Sequence, residues 1–180
     1  MKKIISFLIL AFFITAFLPG CSTKSPAPTS PTPQDTTQTA SIKVYFGDAG
    51  NEKMVSETRS ISYKKEEEKY RLALEELFKG PAEKEHRANI ASGVKVYGII
   101  KQEDALIIDL SQEFNRFAGS VGEIIGVGSV VNTLTQFGEI KKVKIMVEGN
   151  ELMALSGLPR GFMTAFPLDP TQTTNNSPKQ

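Results

Sequence analysis

Along the chain, the spacing of apolar residues switches repeatedly between two periods. Ile42-Lys43-Val44-Tyr45-Phe46 alternates with the period of two that marks a strand with one buried face, and Gly47-Asp48-Ala49-Gly50-Asn51 is turn chemistry. Residues 54–61 alternate more weakly and are mostly polar, which predicts an edge strand. Over residues 66–79 the period becomes helical, with Tyr70, Ala73, Leu74, Leu77 and Phe78 on one face. Glu66, Glu67 and Glu68 in the first turn and Lys79 in the last complement the helix dipole, and Glu67–Arg71 and Glu75–Lys79 are spaced as i,i+4 pairs. Gly80-Pro81 is a stop signal. Residues 94–101 and 105–110 read as two strands of a hairpin turning at Gln102-Glu103. Ser120-Val121-Gly122-Glu123 is a capping box opening a second helix that runs to about Phe137, with Ile124, Val127, Val131 and Leu134 as its buried stripe. Gly126 and Gly128 each cost about 1 kcal/mol relative to alanine in a helix. Their presence predicts a helix backbone lying close against the sheet. Gly138 ends the helix. Residues 140–147 form a strand with Val143, Ile145 and Val147 on one face, and Gly149-Asn150 turns the chain into Glu151-Leu152-Met153.

The predicted order is therefore β-β-α-β-β-α-β-β, with no internal repeat. It implies an α+β domain with a mostly antiparallel sheet and two helices on one face. The opposite face would carry Lys43, Tyr45, Lys95, Tyr97, Lys142 and Lys144.

The flanks have a different composition. Lys2 and Lys3 precede an apolar run of about 15 residues, the length of a signal-peptide core and short of the ~20 a spanning helix needs. The run closes in Leu18-Pro19-Gly20-Cys21, which resembles the lipobox of bacterial lipoproteins; the resemblance implies cleavage before Cys21 and a lipid on its thiol. Cys21 is the only cysteine, as expected of a thiol committed to lipid. Residues 1–20 are thus expected to be a signal peptide. Residues 21–41, rich in Ser, Thr and Pro, are expected to be a disordered tether reaching up to roughly 60 Å. Residues 42–168 form a single domain, and 169–180 a disordered tail. With 21 basic and 20 acidic residues the chain is nearly neutral, which argues against a nucleic-acid partner.

Several segments, taken in order, resemble the GerMN domain family of sporulation and germination lipoproteins. They are Val44-Tyr45-Phe46, the helix end from Ala73 through Leu77-Phe78-Lys79-Gly80-Pro81, Ile108-Asp109-Leu110-Ser111 with Phe114, Leu134-Thr135, and Val143-Lys144-Ile145-Met146-Val147-Glu148-Gly149. The resemblance spans residues 42–155. It implies a fold similar to the ring-building motifs of secretion-type assemblies, a place in the bacterial envelope, and a domain not known as an enzyme.

Candidate chemistry is sparse. His86, the only histidine, sits in a polar segment and reads as solvated. One histidine and one cysteine make no zinc set, and no local motif supports a Ser-His-Asp arrangement. Glu103 and Asp104 are explained by a turn, and Asp109 by binding backbone groups. Gly126-Val127-Gly128 lacks the third glycine of a dinucleotide fingerprint. The expectation is a non-enzymatic protein without cofactor or metal, anchored by Cys21 to the outer face of the cell membrane of a Gram-positive bacterium. It would bind an envelope protein or self-assemble, in a sporulation or germination context. A lipoprotein contacting wall glycan or a small molecule is the alternative, weakened by the absence of tryptophan. Two surfaces are expected to make contacts: the Lys/Tyr face, and residues 158–168, whose Phe162 and Phe166 either cover the core or form an interface.

Overall fold

The computed structural model describes residues 36–169; the predicted signal peptide, Cys21, most of the tether and residues 170–180 lie outside the described residues. The elements are β1 (Gln38–Gly47), β2 (Met54–Tyr63), α1 (Glu68–Phe78), β3 (Val96–Gln102), β4 (Ala105–Leu110), a 3-10 turn (Gln112–Asn115), α2 (Gly119–Thr135), β5 (Lys142–Val147), β6 (Asn150–Glu151) and β7 (Phe162–Met163). The α+β class, the two helices and the mostly antiparallel pairing agree with the pattern. The short β7 is additional.

The strands form two sheets where one was expected. β1 and β2 make a long antiparallel hairpin, paired from Gln38↔Tyr63 to Gly47↔Met54. The other strands make a second sheet in the order β3-β4-β5-β6, with β7 also beside β5. Within it β4 and β5 run parallel, from Ala105↔Lys142 to Leu110↔Val147. Parallel neighbours need a crossover, and α2 supplies it.

β1 starts at Gln38, so strand pairing begins inside the segment that reads as tether. Its first residues are polar, and backbone pairing with residues 60–63 holds them, helped by a 3.2 Å contact between the Thr39 and Ser62 hydroxyls. Ladder hydrogen bonds need no apolar side chain, which is why hydropathy does not mark this end.

Helix α1 buries Tyr70, Ala73, Leu74 and Leu77, as its spacing predicts. Its charges find other partners than the expected i,i+4 ones. Lys69 pairs with Glu66 at 2.7 Å and Glu139 at 2.8 Å, Lys79 pairs with Glu76, and the Arg71 guanidinium donates to the Val96 carbonyl at 2.7 Å. Lys79 only exchanges one local partner for another three positions away, whereas Lys69 and Arg71 also reach tertiary partners, which outcompete weak pairs along one helix.

Helix α2 departs most from the pattern. Instead of one stripe, every residue from Gly122 to Leu134 except Ile124 is buried, because β1, α1 and β5 all pack on it. The capping box does not form: Ala118 occupies the N-cap position without a side-chain cap, and Gly119 enters with φ +76°. The two mid-helix glycines are close-approach sites, as expected, but chiefly against loops. A Cβ on Gly126 would sit 2.8 Å from the Asn89 carbonyl oxygen and 3.1 Å from the Phe117 ring; one on Gly128 would meet the Met54 sulfur at 3.0 Å and the Phe166 ring at 3.3 Å. The β5–β6 turn falls one residue earlier than expected, at Glu148 (φ 52°) and Gly149 (φ 76°), the left-handed pair that a tight two-residue hairpin requires.

Gly126→Ala is expected to lose about 1–3 kcal/mol, since overpacking against a backbone carbonyl exceeds the gain in helix propensity. Gly122→Ala meets only ordinary contacts at 3.5 and 3.6 Å, and should gain up to about 1 kcal/mol. Chemical denaturation of the two variants checks the contrast; equal effects would show that the Asn89 loop yields.

Candidate functional site

The structure divides the predicted Lys/Tyr face. Lys43 and Tyr45 lie on β1, in the two-stranded sheet; Lys142 and Lys144 lie on β5 and Tyr97 on β3, in the other, with Lys95 just before β3. Lys43 is exposed, while Tyr45 is half-buried and burial pushes its hydroxyl pKa up. Lys95 is exposed. Lys142 lies 3.5 Å from Asp104, and Lys144 2.7 Å from Glu151, so these charges are locally compensated.

The expected second surface also divides. Phe162 pairs across from Lys144 and stays 47% exposed, with the Lys142 and Lys144 ammonium groups 5.6 and 5.9 Å from its ring centre. Through the registers Ile100↔Ile107, Ile107↔Lys144 and Lys144↔Phe162, it belongs to one cross-strand row on the open face. Phe166 turns the other way and packs on the core. Its backbone N–H donates to Asn132 Oδ1 at 2.7 Å, and its carbonyl accepts from Asn132 Nδ2 at 3.0 Å. Phe162 is therefore surface and Phe166 is core cover.

Sequence reasoning marked residues 158–168 but missed the loop that Leu158 to Arg160 form with residues 153–157 between β6 and β7. Residues 153–160 make an out-and-back excursion closed by a Met153↔Pro159 bridge and by the Ala154 N–H on the Leu158 carbonyl at 2.8 Å. It shows Met153, Leu155 and Leu158 to solvent at 50%, 56% and 67% exposure. Its base is fixed to α2 by Glu123, a carboxylate only 3% exposed. Glu123 accepts the Leu155 N–H at 3.2 Å and two hydrogen bonds from the Arg160 guanidinium, one of them at 3.0 Å. The capping-box spacing disguised Glu123; an acidic residue followed by Ile124-Ile125, with Arg160 alone in a later apolar stretch, was the available signal.

Beside this loop lies an open groove of about 450 Å³, lined by Gln112, Asn115, Phe117, Glu148, Met153 and Leu155 among others. Glu148 accepts hydrogen bonds from the Tyr97 hydroxyl at 3.2 Å and the Gln112 N–H at 3.1 Å, both uncharged donors. Desolvation first, then that bond and the charges of Glu148, Glu113 and Asp109, push the Tyr97 hydroxyl pKa up. Asp109 binds backbone as expected, though at the β5–β6 turn, accepting the Gly149 N–H at 3.0 Å.

His86 is not solvated as expected. It is half-buried with Nδ1 2.8 Å from Glu57 Oε1. Glu57, on β2, also accepts from the Ala82 and Glu83 N–H groups and from Arg59, and so clamps the loop after α1. Burial raises its pKa and is the largest single influence, but these four donors together outweigh it and bring the carboxyl from 4.5 down to about 2. Among the described residues, no group of three or more His, Cys, Asp or Glu is placed to hold a metal ion.

The family model described as "Germane: Sporulation and spore germination" matches residues 43–153, more than half of the chain. The chain belongs to the Germane family. It is similar in structure to the tandem GerMN domains of the sporulation protein GerM from Bacillus subtilis, at 26% identity and a TM-score of 0.53, over 73% of this chain and 46% of that one. It is similar also to the first GerMN domain of that protein, at 26% identity and a TM-score of 0.50, over 72% of this chain and 96% of that domain. The chain thus spans about half of the tandem and nearly all of a single domain. No curated protein matches it. The GerMN resemblance is confirmed, and the Germane match ends at residue 153, so Leu155, Leu158, Arg160 and Phe166 lie beyond it.

Two outcomes are expected. Phe166→Ala should cost about 2–3 kcal/mol, whereas Phe162→Ala should cost less than about 1 kcal/mol, read by thermal or urea unfolding. A charged Glu57 stabilises the fold above pH about 4.5, and that stabilisation is lost as pH falls toward about 2. Glu57→Gln should therefore cost up to about 3 kcal/mol at pH 7, and the gap should close between pH 4.5 and 2. Glu139 titrates over the same range, and subtraction of the variant's pH curve isolates Glu57.

Proposed function

We propose that this Germane-family chain is a lipid-anchored envelope protein whose GerMN-like domain serves as a non-enzymatic protein-interaction module in a sporulation or spore-germination assembly. The observation that carries the reading is the excursion between β6 and β7. Three large apolar side chains within six residues are held in solvent by a base that includes a buried ion pair. A buried pair is expensive to form and gives weak net stability. Spending one to fix an apolar loop, where scattered exposed residues would need no support, fits a surface shaped for a partner. That partner is another envelope protein or a second copy of the chain.

The anchor rests on Leu18-Pro19-Gly20-Cys21 after its apolar run, which resembles a lipobox. Lipid on Cys21 would hold the protein on the outer face of the cell membrane, stably if two or more chains are attached. Mass spectrometry of the native protein should find a mature chain beginning at acylated Cys21, and Cys21→Ser should move the protein out of the membrane fraction. An intact Met1, or a mature chain starting elsewhere, would reject the anchor.

A further inference from the structure

The groove beside the β6–β7 excursion joins two unlike walls. On one stand Met153 and Leu155, half or more exposed, with Phe117. On the other stands Glu148, whose hydrogen-bond donors Tyr97 and the Gln112 amide carry no charge. Glu151 also lines the groove, but Lys144 neutralises it at 2.7 Å. Apolar area and a carboxylate with no ion pair among the described residues lie within one concavity of about 450 Å³. An occupant complementary to both carries a cation set among apolar side chains.

The fold also places this groove. Because α2 connects the parallel strands β4 and β5, its first turn lies at their carboxyl ends, where the Glu148 turn also lies. Gly128 of α2 packs at Met54, opposite Gly47, whereas Gln136 just past its end bonds the Lys43 backbone, so α2 runs antiparallel to β1. The groove therefore belongs to the Gly47 pole, and the chain enters the domain at Gln38, about 30 Å away along β1.

We propose that this groove binds a segment of a partner protein that carries a lysine or arginine among apolar side chains, the cation meeting Glu148 and the apolar groups lying on Met153 and Leu155. The proposal deepens the interaction-module reading and rests on it.

The test places a photo-crosslinking amino acid at Leu155 of the full-length chain in its own bacterium, a second one at Phe162 on the open sheet face, and sequences the crosslinked peptides. The expected product from Leu155 is a protein segment with a basic residue flanked by apolar ones. From a probe at Met153, its yield should fall about tenfold in Glu148→Lys and in Leu155→Glu, through lost charge complementarity and lost apolar contact respectively. Leu155 is exposed and contributes only its backbone to the loop, so Leu155→Glu carries the test should Glu148→Lys fail to fold; melting curves decide that. Lipid adducts at Leu155, or crosslinked segments that are acidic or wholly apolar, overturn the proposal. Products from Phe162 alone overturn it and leave the interaction-module reading standing. Products from neither site overturn both.

Discussion

The burial of α2 on nearly every side from Gly122 onward is the constraint on which the rest of the structure depends. A helix covered on one face can leave polar side chains in water; this one is enclosed from Gly122 to Leu134, Ile124 excepted. Each polar group it carries inward must then find a partner within the chain. Glu123 finds Arg160 and the Leu155 amide, and Asn132 finds both backbone groups of Phe166. The Thr133 hydroxyl is the buried side-chain atom left without a partner among the described residues. The same enclosure explains the glycines, because neighbours on several sides approach nearer than a Cβ allows.

These two partnerships organise the C-terminal segment. Glu123 and Asn132 lie nine positions apart on α2, and their partners, Leu155 with Arg160 and then Phe166, follow in the same order along the chain. The segment is thereby pinned to the helix at two points, with β7 paired to β5 between them, and ends where the Leu168 carbonyl accepts the Met54 N–H. This segment extends beyond the Germane match, yet it completes the burial of the helix inside that match. Its by-product is a set of exposed apolar side chains, and these are what make it a candidate surface.

Much of the fold was legible because it is written in local periods. The strand at residues 42–46, helix α1, the β3–β4 hairpin and β5 follow from alternation or helical spacing alone. The division into two sheets was not legible, since nothing in the alternation of β1 says that it pairs only with β2. Lys43 and Tyr45 were therefore grouped with Lys142 and Lys144, which lie in another sheet. The polar start of β1 was hidden because backbone ladders leave no hydropathy mark. The candidate site was hidden for a related reason: Glu123 and Arg160 are 37 positions apart, and a buried ion pair looks in sequence like two ordinary charges. Phe162 and Phe166 were noticed together, but only the register of β7 against β5 and the Asn132 hydrogen bonds separate surface ring from core ring.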